Sequence, residues 1–388
     1  MSHGRGKKET GFKEKIIPPD TRCRVDKDTM KRKVIISRKK TRAVKVGKFV
    51  LGDGQPIRIQ SMTKVPTRNV QATLEQIDRL IGSGCEIVRV ACPGEEDVKA
   101  LGKIKTKISL PLVADIHFNY RFALMAIDEG VDKLRLNPGN IGDKERVAEV
   151  VEKAKKHHVP IRIGVNSGSL EKDLMEKFGP TPEALVESAR RHVKILEDLD
   201  FHDTVISLKA TDVPTMIEAY RLASQKFDYP LHLGVTEAGT LIRGSVYNAI
   251  GVGTLLQEGI GDTIRVSLTA DPVEEVKVAK MILESLDLRQ GVRVISCPTC
   301  GRTEIDIAKL AEEVEARAMM LEGPLTIAVM GCAVNGPGEA QGADFAITGG
   351  QKKGMIYIAG KQERVVDEEH LVDELFKEIL KRQHAGDR

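Results

Sequence analysis

The chain has no tryptophan, only 4% aromatic residues and only six cysteines among 388 residues. It also lacks any apolar run that approaches the roughly 18 residues of a membrane span. Each scarcity removes a class of function. The N-terminus has no signal-peptide apolar core, so no secretory route is expected. Cys23, Cys85 and Cys92 stand alone, unlike the disulfide framework of a secreted domain. A reducing, cytoplasmic compartment is the expectation. With few aromatic side chains for bases to stack on, a nucleic-acid platform is a poor fit. Charge gives no strong bias, since 60 basic against 56 acidic residues leave a formal net charge of +4. Residues 1–33 are more basic and sparsely apolar, and read as a flexible basic tail.

The other three cysteines are the most informative residues. Cys297 and Cys300 form a C-x-x-C in SCPTCGRTEID, and Cys332 follows the apolar run Leu325–Met330 in a Gly/Pro-rich loop. Three thiolates fall short of the four-cysteine set of structural zinc or of a plain electron-transfer iron–sulfur cluster. Either another side chain completes the set, or a coordination position is left open for chemistry. Glu339, in Asn335-Gly336-Pro337-Gly338-Glu339, is the nearest candidate. Ordinary thiols of a cytosolic protein are the plain alternative.

Upstream, β-prone runs alternate with amphipathic ones eight times between Lys33 and Gln290. The expected strands are Ile57–Ser61, Ile87–Ala91, Leu112–Asp115, Lys133–Asn137, Ile161–Asn166, Thr204–Lys209, Leu231–Thr236 and Thr263–Ser267. Helical patterns separate them, and Asp271-Pro272 supplies an N-cap and an N1 proline for the last helix. The alternation implies a parallel sheet with helical crossovers. Eight units in about 250 residues match a closed (β/α)8 TIM barrel. An open doubly wound sheet is the rival, but no G-x-G-x-x-G follows the first strand. The expected architecture is a barrel at 34–290 followed by a small α/β domain at 291–388.

Strand parity indicates what lines the barrel. In Lys133-Leu134-Arg135-Leu136-Asn137 the leucines face the helices, so Lys133, Arg135 and Asn137 point inward. The same alternation places Arg162, Asn166, Ser207, Lys209, His232, Thr236, Arg265, Ser267, Arg58, Gln60 and Arg89 inside. About six cationic side chains in one lumen repel each other unless acids or a bound anion balance them. Asp115 is the clearest acid of the right parity, and Glu86 and Glu237 stand at strand ends. These could form structural pairs with some arginines, but they are few. A polyanion such as a diphosphate accounts for the excess better, and arginine suits bidentate phosphate binding. Glycine-containing loops follow three strands, at Asn137–Asn140, Asn166–Ser169 and Glu237–Thr240. Main-chain donors there could approach an oxyanion closely.

Several motifs together resemble one family. They are QSMT (Gln60–Thr63), VADIHF (Val113–Phe118), RLNPGNIG (Arg135–Gly142), IRIGVNSGSLEKDL (Ile161–Leu174), HLGVTEAG (His232–Gly239), EGIGDTIRVSL (Glu258–Leu268), CPTCGR (Cys297–Arg302) and GCAVNGPGEA (Gly331–Ala340). They are similar to the 4-hydroxy-3-methylbut-2-enyl diphosphate synthase family, the iron–sulfur enzymes of the non-mevalonate isoprenoid (MEP) pathway. The resemblance covers the chain from about residue 34 and implies reductive opening of 2-C-methyl-D-erythritol 2,4-cyclodiphosphate. It implies a [4Fe–4S] cluster on Cys297, Cys300, Cys332 and Glu339, with flavodoxin or ferredoxin as electron donor. The family's barrel glutamate falls on Glu237, either as an aid to proton transfer or as a structural partner of a lumen arginine. Its phosphate-binding positions fall on Arg121, Arg135, Asn137, Arg162, Asn166, Lys209 and Arg265, and the lumen-facing His232 joins them. Lys64–Asn69 departs from the family's small polar run and has no assigned role. The even unit spacing leaves no room for an inserted domain, so the two-domain, bacterial kind is implied.

Chain geometry adds an expectation about assembly. The last barrel helix runs roughly 22 Å down the barrel side, and the short linker after it reaches at most about 14 Å. The cysteine domain thus starts opposite the barrel mouth, and a head-to-tail homodimer would bring the two sites together. Two other readings stand beside this one. A non-redox phosphate-binding barrel with structural zinc leaves the incomplete thiolate set unexplained. A zinc-ribbon nucleic-acid module needs a second C-x-x-C, which is absent.

Overall fold

The computed structural model describes residues 36–386 apart from 302, 304, 322, 333–335 and 351, and side chains in 336–339 and 384–386 in part. The expected tail, residues 1–33, lies outside the described residues. A short antiparallel hairpin, β1 (Val44–Val46) and β2 (Phe49–Leu51), comes first. Eight parallel strands follow, β3 (Arg58–Met62), β4 (Ile87–Ala91), β5 (Leu112–Asp115), β6 (Lys133–Arg135), β7 (Ile161–Asn166), β8 (Thr204–Lys209), β9 (His232–Leu233) and β10 (Thr263–Ile264). They pair in the order β8-β7-β6-β5-β4-β3-β10-β9, and a bridge from Ile206 to Leu231 joins the two ends. This is the closed barrel that the alternation predicts.

The crossover helices are α1 (Val70–Ser83), α2 (Glu95–Lys105), α3 (Tyr120–Asp128), α4 (Lys144–His157), α5 (Lys172–Phe178), α6 (Pro182–Asp198), α7 (Val213–Lys226), α8 (Leu241–Gln257) and α9 (Pro272–Ser285). Side-chain caps start many of them: Asn69, Asp143, Thr181, Asp212 and Asp271 each accept a first-turn N–H. The sequence reading missed α5, a helix of only seven residues within the connection after β7. It also drew three strands too long: β6 ends at Arg135 rather than Asn137, and β9 and β10 are shorter still. The ladders of the last two stop at Leu233 and Ile264, because the chain turns into the active-face loops there.

The hairpin was not foreseen, since three-residue strands carry almost no periodic signal. It has a definite job. Val44, Val46 and Leu51 pack on Ile87, Val113 and Val205 as one buried cluster. Those three barrel residues share the parity of Arg89, Asp115 and Lys209, so they form the lowest layer of the lumen. The hairpin therefore plugs the N-terminal end of the barrel with hydrocarbon. Arg58 belongs to this end as well: it pairs with Glu86 at 2.7 Å and lies over the Phe49 ring at 4.3 Å.

The chain after α9 is tied to the same end, because Arg289 also pairs with Glu86. A second sheet then forms in the order β11 (Val292–Ser296), β12 (Leu325–Met330), β13 (Phe345–Gly350), β14 (Lys353–Ile358) and β15 (Lys361–Asp367). Helices α10 (Ile307–Ala318), α11 (Gly336–Gly342) and α12 (Leu371–Gly386) complete it. The sequence pattern predicts strands at Val292–Ser296, Leu325–Met330 and Met355–Ala359 and helices at Asp306–Leu321 and Asp367–Arg382, which correspond to β11, β12, β14, α10 and α12, but gives no sign of α11, β13 or β15. β13 ends in two glycines, and β15 reads KQERVVD, a charged edge strand with weak hydrophobic alternation. No helix among the described residues is long and apolar enough to cross a membrane. Leu51→Ala should destabilise the fold by about 2–5 kcal/mol, the usual cost of a buried leucine truncation. A urea unfolding curve would show it as a lowered midpoint.

Candidate active site in the barrel lumen

Above the apolar plug the lumen is cationic. Lys133 and Arg162 are 0% and 1% exposed, and Arg89, Arg135 and Lys209 are also buried. Arg265 is nearly so. Ordinary barrel interiors carry branched aliphatics at these positions. Two carboxylates face the six cations. Asp115 lies 3.2 Å from Arg135 and 3.6 Å from Arg89, with His117 beside it at the rim. Glu275 lies 3.3 Å from Arg265. Many donors are left over: Lys133 Nζ, Arg162 Nε and Nη2, Arg135 Nε and Arg265 Nε have no hydrogen-bond partner among the described residues. The one bond that Arg162 Nη1 makes is to Ser207 Oγ, at 2.7 Å.

Crowding shifts the charges in a consistent direction. Burial, reinforced by Arg162 and Arg89, holds the Lys133 ammonium well below the ordinary lysine range. Burial and the neighbouring arginines do the same to Lys209 and Arg162. Burial lowers even Arg89 to about 10. His232, whose Nδ1 sits 2.7 Å from Thr263 Oγ1, is kept neutral first by burial and then by Arg162 and Lys209. Burial alone would raise the Asp115 carboxyl, but Arg89, His117 and Arg135 together hold it well below the usual range. The lumen thus stores an excess of positive charge that a bound polyanion would relieve.

Two inward-facing glycines make room for these long side chains. A Cβ on Gly164 would collide with the Arg135 guanidinium, and one on Gly234 would meet Lys209 Nζ at 3.1 Å. The other expected binding residues are spread more widely. Asn137 uses its amide on the backbone of neighbouring β7, accepting from Gly164 N–H at 2.8 Å and donating to Gly164 O at 3.1 Å. Asn166 is half-buried at the end of β7, and Arg121 is exposed on the first turn of α3. Glu237 is exposed just past β9 with φ of 53°, a left-handed conformation uncommon for glutamate. It makes no ion pair with a lumen arginine among the described residues.

Strand parity does not reveal Glu275, because it comes from a helix rather than a strand. Its signal was present: it occupies the buried stripe of α9 together with Val278, Ala279 and Ile282. A carboxylate on an apolar stripe calls for a buried cation.

The cysteines lie at one edge of the second sheet. β11 and β12 are parallel, Ser296 pairs with Val329, and Cys297 N–H donates to Val329 O at 3.0 Å. Cys297 and Cys332 therefore leave neighbouring strands on the same side. The chain after Cys300 folds back so that Thr303 packs on Gly331, while Thr299 adopts φ of 65° between the two cysteines. Cys332 is buried, Cys297 half-buried and Cys300 exposed. Glu339 falls in α11, and its side chain lies outside the described residues. Ala340 next to it packs in the same small cluster as Cys297. Among the described residues no three His, Cys, Asp or Glu side chains stand close enough to hold a metal ion. The donor types nevertheless fit iron: thiols gathered on one edge, with a carboxylate-bearing helix packed beside them.

Residues 41–280 match the GcpE TIM-barrel domain, and residues 293–381 match the GcpE protein C-terminal domain. The chain belongs to the GcpE family. Relatives include a protein of Caldanaerobacter subterraneus subsp. tengcongensis, 57% identical over 90% of this chain and 99% of that protein. A Geobacillus kaustophilus protein is 56% identical over 89% of this chain and 93% of its own. Both are named 4-hydroxy-3-methylbut-2-en-1-yl diphosphate synthase (flavodoxin). Among solved structures, a type I 3-dehydroquinate dehydratase of Clostridium difficile aligns at a TM-score of 0.47, with 16% identity, over 64% of this chain and 97% of that one.

The lumen of this GcpE chain should show in its pH-dependent stability. Lys133 and Lys209 hold fewer protons folded than unfolded, so stability should rise with pH from 7 towards the ordinary lysine value of about 10.4. Lys133→Met should raise the urea midpoint at pH 7 and flatten that rise, while weakening diphosphate binding.

Proposed function

We propose that this chain reductively opens 2-C-methyl-D-erythritol 2,4-cyclodiphosphate to 4-hydroxy-3-methylbut-2-enyl diphosphate in the cytoplasm, as an iron–sulfur oxidoreductase of isoprenoid biosynthesis supplied with electrons by flavodoxin. The cationic lumen carries this reading, because its unpartnered donors suit a compact ligand with two phosphates. The names of close relatives that share nearly the whole chain add to it. In the division of labour we infer, the barrel (34–290) binds substrate and the domain at 291–388 holds the cofactor.

Arg135, Arg162, Lys209 and Arg265 grip the phosphate oxygens from several sides of the lumen. Neutral His232 offers Nε2, which has no partner among the described residues. Asn137 supports this grip indirectly, by fixing the backbone of Gly164 beneath the Arg135 guanidinium. Asn166 and Arg121 stand where the ligand enters. The dry, plugged floor keeps bulk water from the phosphates, so each charge-assisted bond is stronger than it would be in solvent. Glu237, at the mouth and held in a strained backbone conformation, is placed to deliver a proton to a departing oxygen. A [4Fe–4S] cluster on Cys297, Cys300, Cys332 and Glu339 would supply single electrons and an exchangeable iron position. Glu339 is the ligand suited to exchange, since a carboxylate binds iron less tenaciously than thiolate.

The attachment of the chain supports a head-to-tail homodimer. Arg289 anchors the start of the second sheet to Glu86 at the plugged end of the barrel, away from the mouth. Apolar side chains exposed around the mouth, Phe118 at 77% and Ile242 at 82%, favour a covering partner. Glu339→Ala should lower iron content in anaerobically purified protein, whereas Glu237→Gln should keep iron but lose roughly 10²–10⁴ in turnover. Normal turnover by Glu237→Gln would remove it from the mechanism. Mixing Arg162→Ala with Cys332→Ala protein should restore activity after subunit exchange, and no rescue would defeat the dimer.

A further inference from the structure

Glu275 and Lys64 take no part in the chemistry above, yet they meet at one of the short-laddered seams of the barrel. β3 and β10 meet through only two register pairs, Thr263 with Arg58 and Ile264 with Ile59. Arg265 is the first residue beyond that ladder. From there towards the mouth the two walls are laced by side chains. Glu275 reaches in from α9, 1% exposed. Its Oε1 forms an ion pair with Lys64 Nζ at 3.0 Å and accepts from Leu268 N–H at 3.1 Å. Its Oε2 accepts from Ser61 Oγ at 3.2 Å and from Arg265 Nη2 at 3.3 Å. Lys64 also donates to the carbonyls of Leu268, at 2.7 Å, and Ala270. One carboxylate therefore joins β3, the loop after it, Arg265 and the loop after β10. Lys64 begins the segment that sequence motifs left without a role.

We propose that Glu275, held by Lys64, is a positioning residue that fixes the Arg265 guanidinium at the height and direction needed to meet a diphosphate in the lumen. This rests on the lumen being a diphosphate site. The Arg265 main chain is held to β9 by Leu233 O at 2.9 Å, but no ladder joins it to β3, so the direction of its guanidinium depends on this contact. The bond to Glu275 engages Nη2 and leaves Nε facing the lumen without a protein partner.

A bare counter-ion and a positioning group predict opposite results. If Glu275 only neutralised charge, its removal would leave the lumen more cationic and bind anions tighter. If it aims Arg265, removal weakens binding in spite of the added positive charge. Glu275→Gln keeps the shape and the acceptor for Leu268 N–H while discarding the charge. Titration calorimetry with inorganic diphosphate on the cluster-loaded protein, together with steady-state kinetics, reads the outcome. Binding should weaken about tenfold, the cost of losing one well-aligned charged hydrogen bond. KM for the cyclic diphosphate should rise in step, with kcat changed by less than about threefold, as for lost uniform binding. Lys64→Met should act in the same direction, and Lys64→Arg should restore part of the loss. Equal or tighter binding by Glu275→Gln overturns the proposal. Should that variant fail to fold, unchanged KM in Lys64→Met overturns it instead. An unaltered protein that ignores diphosphate would defeat the lumen reading itself, and the proposal with it.

Discussion

Buried positive charge in the barrel is the constraint to which the rest of the structure answers. Six cationic side chains face two carboxylates, Asp115 and Glu275, in a space sealed below by hydrocarbon. Such an arrangement weakens the fold on its own, because each ammonium or guanidinium loses water without gaining a full partner. The barrel tolerates it through a large aliphatic shell between strands and helices, which is continuous around the whole sheet. Stability is thus supplied outside the strands and function inside them. Removing the charge would make a better-packed barrel and a poorer binding site.

The two carboxylates differ in where they come from and in what they restrain. Asp115 belongs to a strand and shares its charge between Arg89 and Arg135 near the rim. Glu275 arrives from a helix and acts across a seam where backbone pairing has run out. Gly164 and Gly234 complete the design: the first clears the volume of the Arg135 guanidinium, and the second makes room for the Arg265 carbonyl with the Lys209 ammonium beside it. Arginine aim is therefore set by backbone register on one side of the barrel and by side-chain lacing on the other.

Much of this was legible in the residues. Lys133-Leu134-Arg135-Leu136 could face only one way, because two leucines cannot both point into a polar lumen, and the same logic placed Arg162, Lys209 and His232. Four barrel strands matched to the residue, where β-branched runs are bounded by proline or polar turns. What could not be read were features without periodicity: the three-residue strands of the plug, the charged edge strand Lys361–Asp367, and a helix-borne acid that enters the sheet from outside. The cysteine edge was legible in part. The pairing of C-x-x-C with Cys332 came from composition, but their adjacency depends on the parallel register of Ser296 with Val329. Sequence alone gives no such register. Likewise the anchoring of the second sheet at the plugged end needed the Arg289–Glu86 pair, though chain reach had already suggested it.

The central claim is that the buried positive charge of the lumen awaits a dianion, with Lys133 and Lys209 holding their protons less firmly than lysines in solvent. Titration calorimetry of the cyclic diphosphate at pH 8, repeated in buffers of different ionisation enthalpy, tests it most directly. Binding should draw protons from the buffer, because the anion raises the depressed lysine values of Lys133 and Lys209. Binding with no proton uptake, or with proton release, would contradict the account.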